Sequence, residues 1–230
     1  MHVSEYTLPV ARMETTIALV SDLHNRNGTR ALDILSVHQP AMIFAVGDIY
    51  ERSTRKGRYA TQFLKGCSAV APTFFVRGNH ELSFDSRDFS NLRATGVHVL
   101  ENEIVRHGAF AIGATVPLRC AKRRYAPSDV SVFAKLATTS GFRILLSHHP
   151  EFYARYLRGR YSFDLVLSGH AHGGQIVLCG HGLYAPGQGI FPRYVHGLYD
   201  GCLAVCSGLS NTVAPIPRLF NPREVVLLHI

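Results

Sequence analysis

No stretch of this 230-residue chain approaches the roughly 20 consecutive apolar residues that a helix needs to cross a bilayer, and no polar or low-complexity tract interrupts it. The first absence argues against a membrane-spanning helix, the second against a disordered segment. Met1 to Glu14 scatters Glu5, Arg12 and Glu14 among apolar residues, so neither a secretory signal nor an anchor is expected there. Cysteines are few: Cys67, Cys120, Cys179, Cys202 and Cys206, an odd number with no Cys-x-x-Cys pair. That pattern fits reduced, mostly buried thiols in a cytoplasmic protein. Acidic residues are scarce too, 16 Asp and Glu against 24 Lys and Arg, for a formal charge of +8. The balance favours anionic partners (phosphate esters, nucleic acid, or peripheral contact with an acidic membrane) or else is a solvated basic face, and charge alone does not separate these. Lys122-Arg123-Arg124 is the densest basic cluster. No basic motif interleaved with aromatics of the RNA-binding kind accompanies it, which ranks nucleic acid low.

What is present is a chain 47% hydrophobic and long enough for a well-buried core, read as a single domain over residues 1–230. Thr16 to Val20 is a β-branched apolar run, a buried strand ending in Ser21-Asp22-Leu23-His24-Asn25. Thr29 to His38 places Ala31, Leu32, Ile34 and Leu35 at helical spacing after a Thr able to cap it, and Pro40 closes that helix. Ala41 to Val46 is a second strand ending in Gly47-Asp48; Arg58 to Cys67 is a second helix; Thr73 to Val76 is a third strand ending in Gly78-Asn79-His80-Glu81. Strands alternating with helices in this way predict an α/β domain with parallel strands at its heart.

The middle is less regular. A short helix is expected within Asp85 to Ala94, and a meander of short strands at Val97 to Leu100, Ile104 to His107 and Ala109 to Ala114. Residues 117–127 read as an exposed loop, Asp129 to Thr138 as a helix, and Arg143 to Leu146 as a buried strand ending in Ser147-His148-His149-Pro150. Phe163 to Leu167 is the next strand, followed by Ser168-Gly169-His170-Ala171-His172-Gly173-Gly174-Gln175. If that segment stays extended, His170 and His172 point the same way, at one small volume. Three β-like runs follow: Gln175 to Leu178, Cys202 to Cys206 and Glu224 to Ile230.

Five strand ends thus deliver Asp22 and His24, Asp48, Asn79 and His80, His148 and His149, and His170 and His172. Ligand sites in open α/β sheets form outside the carboxyl ends of the strands, where these groups can converge. Taken singly, each histidine is more often a hydrogen-bonded structural residue. Coincidence at five strand ends is much less plausible. Mixed carboxylate, amide and imidazole donors suit manganese, iron or zinc better than magnesium or calcium. The set is too large for one four-coordinate ion, and two divalent ions sharing a carboxylate would use it.

The order Asp-x-His, Gly-Asp, Gly-Asn-His-Glu, His-x-Pro, Gly-His-x-His, from residue 22 to residue 172, resembles the calcineurin-like metallophosphoesterase superfamily. The tail, with Gly173-Gly174-Gln175, Phe191-Pro192-Arg193-Tyr194, Gly197-Leu198-Tyr199 and Asn221-Pro222, is similar to the bacterial branch that includes UDP-2,3-diacylglucosamine pyrophosphatases. The resemblance implies a four-layer αββα sandwich, two mixed sheets flanked by helices, with two metals at the sheet edges. It implies that Asp22, His24 and His172 hold one ion, that Asn79, His148 and His170 hold the other, and that Asp48 bridges them. His80 matches the proton donor. His149 falls at a variable position, beside the ligands on the substrate side. Glu51-Arg52 lies where some relatives carry an Asp-Arg that supports the histidine and grips phosphate. Arg193 is the first choice among other arginines to fork onto a phosphate oxygen, its alternative being a surface arginine after Pro192.

The implied chemistry is attack of a metal-bridging hydroxide on phosphorus, with His80 protonating the leaving oxygen. A phosphodiester or nucleotide-linked pyrophosphate is the expected substrate, and a phosphomonoester is the alternative with the same metal core. A metal-free scaffold that binds partner proteins is a different class. It would lose ligands first, and here every ligand position is filled. A metallo-β-lactamase-like hydrolase would need His-x-His-x-Asp-His, and residues 170–175 read His-Ala-His-Gly-Gly-Gln. Composition does not address the oligomeric state.

Overall fold

The computed structural model describes residues 1–9, 13–53, 57–120, 124–211 and 217–230. In chain order its main strands are β1 (His2–Thr7), β2 (Thr16–Val20), β3 (Met42–Val46), β4 (Thr73–Val76), β5 (Val97–Leu100), β6 (Ile104–His107) and β7 (Phe110–Thr115). They continue with β8 (Phe142–Ser147), β9 (Leu165–Ser168), β10 (Gly197–Tyr199), β11 (Leu203–Val205) and β12 (Glu224–His229). The α-helices are α1 (Thr29–His38), α2 (Arg58–Val70), α3 (Ser90–Arg93) and α4 (Ser131–Ala137).

Two six-stranded sheets form, ordered β1-β12-β2-β3-β4-β5 and β10-β11-β9-β8-β7-β6. Both are mixed: β12 runs antiparallel to β2 in the first, and β6 and β10 are antiparallel edge strands of the second. Side chains alternate across each strand with the period of two that the pleat imposes. In β2, Ile17 and Leu19 enter the core between the sheets, while Ala18 and Val20 face outward. In β8, Ile144 and Leu146 point inward and Leu145 points out. Because both faces are covered, the central strands are continuous apolar runs, as buried parallel strands are. Ala31 and Leu35 of α1 and Phe63, Leu64 and Cys67 of α2 cover the outer face of the first sheet. Val132, Phe133 and Leu136 of α4, with the π-helical turn Tyr153–Leu157, cover the second. The result is four layers, αββα.

The register places the strand ends side by side. Val20 lies opposite Ala45, Val46 opposite Val76, and Ser147 opposite Thr115. The loops after β2, β3, β4, β8 and β9 therefore leave on neighbouring tracks.

Several expectations are corrected. Thr29 does not cap α1: it is the first helical residue after Gly28, and its N–H and hydroxyl both donate to Asn27 Oδ1. The anticipated meander is split between sheets, since β5 joins the first while β6 and β7 pair as a hairpin in the second. Residues 117–127 are more than a loop: Pro117–Arg119 pairs with Tyr125–Pro127 as a short antiparallel hairpin. Lys122 and Arg123 of the basic cluster lie outside the described residues. The N-terminal segment contributes edge strand β1, parallel to β12. Of the five thiols only Cys67 and Cys206 are buried; Cys120 and Cys179 are exposed. No helix among the described residues is long and apolar enough to cross a membrane.

Candidate metal centre

The loops that follow the strands are held in unusual backbone shapes. Asp22, His24, Asp48, His170 and His172 all have positive φ, between 47° and 65°. A non-glycine residue in that region costs on the order of 1 kcal/mol or more and persists only where its surroundings over-determine it. The determinants are visible. Asp22 N–H donates to Gly47 O at 3.1 Å and His24 N–H to Asp48 O at 3.0 Å, so the loop after β2 is laid along the loop after β3. His170 N–H donates to Asp22 Oδ2 at 3.0 Å, and His80 N–H donates to Asp48 Oδ1 at 2.8 Å. Gly78 is required by this closeness, because a Cβ there would overlap the Asp48 carboxylate.

The expectation that His170 and His172 aim at one volume from an extended segment is corrected. The chain is not extended there: both have positive φ, and Ala171 between them is right-handed helical. The two imidazoles serve adjacent groups instead. Asp22, His24 and His172 form one buried cluster, Asp48, His148 and His170 another, each with donor atoms within 4.8 Å of one another. His24 Nε2 lies 3.8 Å and His172 Nε2 3.6 Å from Asp22 Oδ1. His148 Nε2 lies 3.2 Å from Asp48 Oδ2, and His80 Nε2 is 3.9 Å from that oxygen.

The outer nitrogens orient the rings. His148 Nδ1–H donates to Val46 O at 2.8 Å, which leaves Nε2 facing Asp48. His24 Nδ1 meets Glu51 Oε2 at 3.2 Å, which turns Nε2 toward Asp22. Asp22 Oδ1, His24 Nε2, Asn79 Oδ1, His148 Nε2, His170 Nε2 and His172 Nδ1 are buried without hydrogen-bond partners. Unpaired buried polar atoms are costly. Six such atoms on the loops that follow the strands, the amide oxygen of Asn79 among them, fit a cation-binding site.

Charge is partitioned within the set. Burial lowers the affinity of His24 for a proton, but Asp22 and Glu51 overcome it and hold its pKa up at about 10. Burial is likewise outweighed at His148, where Asp48 raises the pKa to about 9. Burial would raise the two aspartates, yet His172 and His24 keep Asp22, and His148 keeps Asp48, below the usual carboxylate range. Burial wins at His172, which falls to about 4, and at His170, which falls well below its ordinary value. Those two imidazoles are neutral and already offer lone pairs.

The remaining anticipated residues divide. His80 is brought to the cluster, with a side chain 24% exposed where those of the clustered residues are nearly closed off. Its Nδ1 meets Glu51 Oε1 at 2.9 Å. Arg52 is exposed at the rim, its Nη2 donating to Asn79 O at 3.2 Å. His149 is buried against His170, ring centroids 4.0 Å apart, with Nδ1 3.2 Å from Glu151 Oε1. Arg193 is not brought in. It is exposed over the Tyr194 ring, and among the described residues it makes no hydrogen bond or ion pair to the cluster.

Sequence reasoning passed over two supports. Glu81, fully buried, accepts from Asp48 N and Gly78 N with Oε2 and from Tyr50 N with Oε1, tying the β3 and β4 loops together. Burial, with Asp48 nearby, raises its pKa to about 7. Its place at the end of Gly-Asn-His-Glu was the available signal. Arg218 caps the carbonyls of Ser207, Ser210, Asn221 and Pro222, and Asn221 Nδ2 donates to the carbonyls of His172 and Gln175. Nothing in the local sequence marks Arg218.

Comparison with known proteins agrees with this geometry. Residues 15–174 match the model of the calcineurin-like phosphoesterase family. An uncharacterised metallophosphoesterase of Campylobacter jejuni is 32% identical over 95% of the chain and 58% of its own length. One from Aquifex aeolicus is 29% identical over the whole chain and 92% of its own length. The chain thus spans little more than half of the Campylobacter relative. Among solved structures, a sulfate thiohydrolase of Thermus thermophilus superposes with a TM-score of 0.54 over 88% of this chain and 53% of that one, at 14% identity, a likeness of fold alone. By the family match and the Campylobacter relative, the chain belongs to the calcineurin-like phosphoesterase family.

Proposed function

We infer that the protein hydrolyses phosphoesters with two divalent cations, and that its substrate is a phosphodiester or a nucleotide-linked pyrophosphate. The observation that carries this reading is the pair of adjoining buried clusters in which Asp22 Oδ1, His24 Nε2, His148 Nε2, His170 Nε2 and His172 Nδ1 have no hydrogen-bond partner. Asp22, His24 and His172 would hold one cation, and Asn79, His148 and His170 the other, with Asp48 shared. Bound there, manganese, iron or zinc would supply the positive charge that binds phosphate oxygens and brings the pKa of water near neutrality.

The rest of the chemistry belongs to side chains. Asn79 contributes a neutral oxygen, which limits negative charge facing an anionic substrate. His80 is partly exposed beside the closed clusters, which supports approach of substrate from its side and a role for Nε2 in protonating the leaving oxygen. Positioned acids of this kind contribute about 10²–10⁴-fold. Glu51 holds Nδ1 and so keeps Nε2 turned inward. The tail motifs, similar to those of UDP-2,3-diacylglucosamine pyrophosphatases, support the diester and pyrophosphate preference. The free cysteines support a reducing compartment such as the cytoplasm.

The test is turnover of bis(p-nitrophenyl) phosphate against p-nitrophenyl phosphate by manganese-loaded protein. Faster diester cleavage is expected. Faster monoester cleavage would transfer the assignment to a phosphomonoesterase, and no turnover of either would remove the enzyme reading.

A further inference from the structure

Beside the ligand clusters lies a cleft that the reaction described above does not use. It encloses about 700 Å³ and is walled by Arg124, Tyr125, Glu151, Arg155, Tyr156 and Gly187. That size suits a small organic ligand. One end borders the metal centre: the Tyr125 ring is 4.7 Å from that of His149 and 6.3 Å from that of His170. The Arg124 backbone is fixed by its carbonyl, which accepts from Cys120 N at 2.8 Å and closes the Pro117–Arg119/Tyr125–Pro127 hairpin. Arg155, on the π-helical turn, reaches across to Gly187 O with Nη2 at 3.3 Å, its one side-chain hydrogen bond among the described residues. Both guanidinium groups are exposed, and among the described residues neither forms an ion pair. The one carboxylate in the wall, Glu151, has Oε1 3.2 Å from His149 Nδ1. The cleft therefore presents two guanidinium groups, one carboxylate and two aromatic rings, and at Tyr125 it borders the metal centre.

We propose that this cleft receives the part of the substrate beyond the scissile phosphorus, and that this part is nucleotide-like: a second phosphate held by Arg124 and Arg155, with a planar ring against Tyr125 and Tyr156. Guanidinium groups fork onto phosphate oxygens through charge-assisted hydrogen bonds, and aromatic faces stack on bases without regard to sequence. The proposal rests on the phosphoesterase reading above and specifies its substrate class.

The test uses a matched pair, thymidine 5′-(p-nitrophenyl phosphate) and the same compound carrying a 3′-phosphate, with bis(p-nitrophenyl) phosphate as reference. The manganese-loaded protein should cleave the 3′-phosphorylated compound with a kcat/KM about tenfold or more above its partner. In the Arg124→Ala/Arg155→Ala variant that ratio should fall toward one, while in Arg160→Ala, an exposed arginine outside the cleft, it should persist. Equal rates in the unaltered protein, or a preference that survives the double variant, would overturn the subsite. Cleavage of bis(p-nitrophenyl) phosphate alone would overturn the subsite and leave the phosphoesterase reading standing; cleavage of none would overturn both. Calorimetric binding of thymidine 3′,5′-bisphosphate to metal-free protein gives a readout independent of turnover. About tenfold weaker binding is expected in the double variant, and unchanged affinity would contradict the proposal.

Discussion

Glu51 holds His80 through Nδ1 at 2.9 Å with one carboxylate oxygen, while its other oxygen meets Nδ1 of His24 at 3.2 Å. One side chain therefore orients both the group that would protonate the leaving oxygen and a residue of the first cluster. The two histidine rings meet edge to face, 4.5 Å apart, so displacing either disturbs the other.

His80→Asn should lower kcat by about 10²–10⁴-fold for esters with alkyl leaving groups. The loss should be much smaller for p-nitrophenyl esters, whose leaving group needs no proton. A series of leaving groups measures this, and a loss independent of leaving-group basicity would show that His80 does not act as the acid.

Glu51→Gln should retain bound metal yet lower kcat by about 10–100-fold, the range typical of residues that orient a working histidine. KM should change little. The same leaving-group series separates a positioning role from simple destabilisation, since only the former makes the loss grow with leaving-group basicity.

These relationships also show which parts of the site the sequence discloses. Asp22, His24, Asp48, His148, His170 and His172 were legible because each ends an apolar run, and parallel strands put such ends on one edge. The way they converge was not legible. His170 and His172 were expected to share a direction through extended backbone, whereas left-handed turns stabilised by contacts from distant loops send them to separate clusters. Arg218 illustrates the same limit, because its partners include carbonyls at Ser207 and Ser210, set beside it only by the tertiary fold. The hairpin at 117–127 was missed for another reason: its strands of three residues are too short for alternation to show. Arg193, the first choice among the arginines for a phosphate contact, lies over the Tyr194 ring, a contact that no pattern in the sequence announces.

Glu81→Ala should destabilise the protein by roughly 3 kcal/mol, because three buried backbone N–H groups, those of Asp48, Gly78 and Tyr50, lose their acceptor. Glu81→Gln, which keeps one carbonyl oxygen, should cost less. Urea unfolding of the metal-free proteins measures both, and equal effects would argue that shape rather than hydrogen bonding is what Glu81 provides.

Metal binding should release protons. In the metal-free protein His24 and His148 are held protonated, at pKa values of about 10 and about 9, by neighbouring carboxylates. A protonated imidazole has no lone pair to give, so the cation must displace those protons, and falling pH opposes binding. Apparent affinity for manganese should rise from about pH 6 to about pH 8, with about two protons released per fully loaded protein. Titration in weakly buffered solution with a pH indicator reads this directly, and binding without proton release would contradict it.

Asp48→Asn should cost both bound metal and activity. The carboxylate stands 3.2 Å from His148 Nε2 and 3.9 Å from His80 Nε2, and an amide cannot offer two anionic oxygens. Full metal content in this variant would remove Asp48 from the shared position.

The most direct test of the central claim is anomalous diffraction from crystals grown with manganese. Two peaks are predicted about 3.5–4 Å apart, one among Asp22, His24 and His172, the other among Asn79, His148 and His170, with Asp48 reaching both. A single peak, or two that bypass these side chains, would contradict the account.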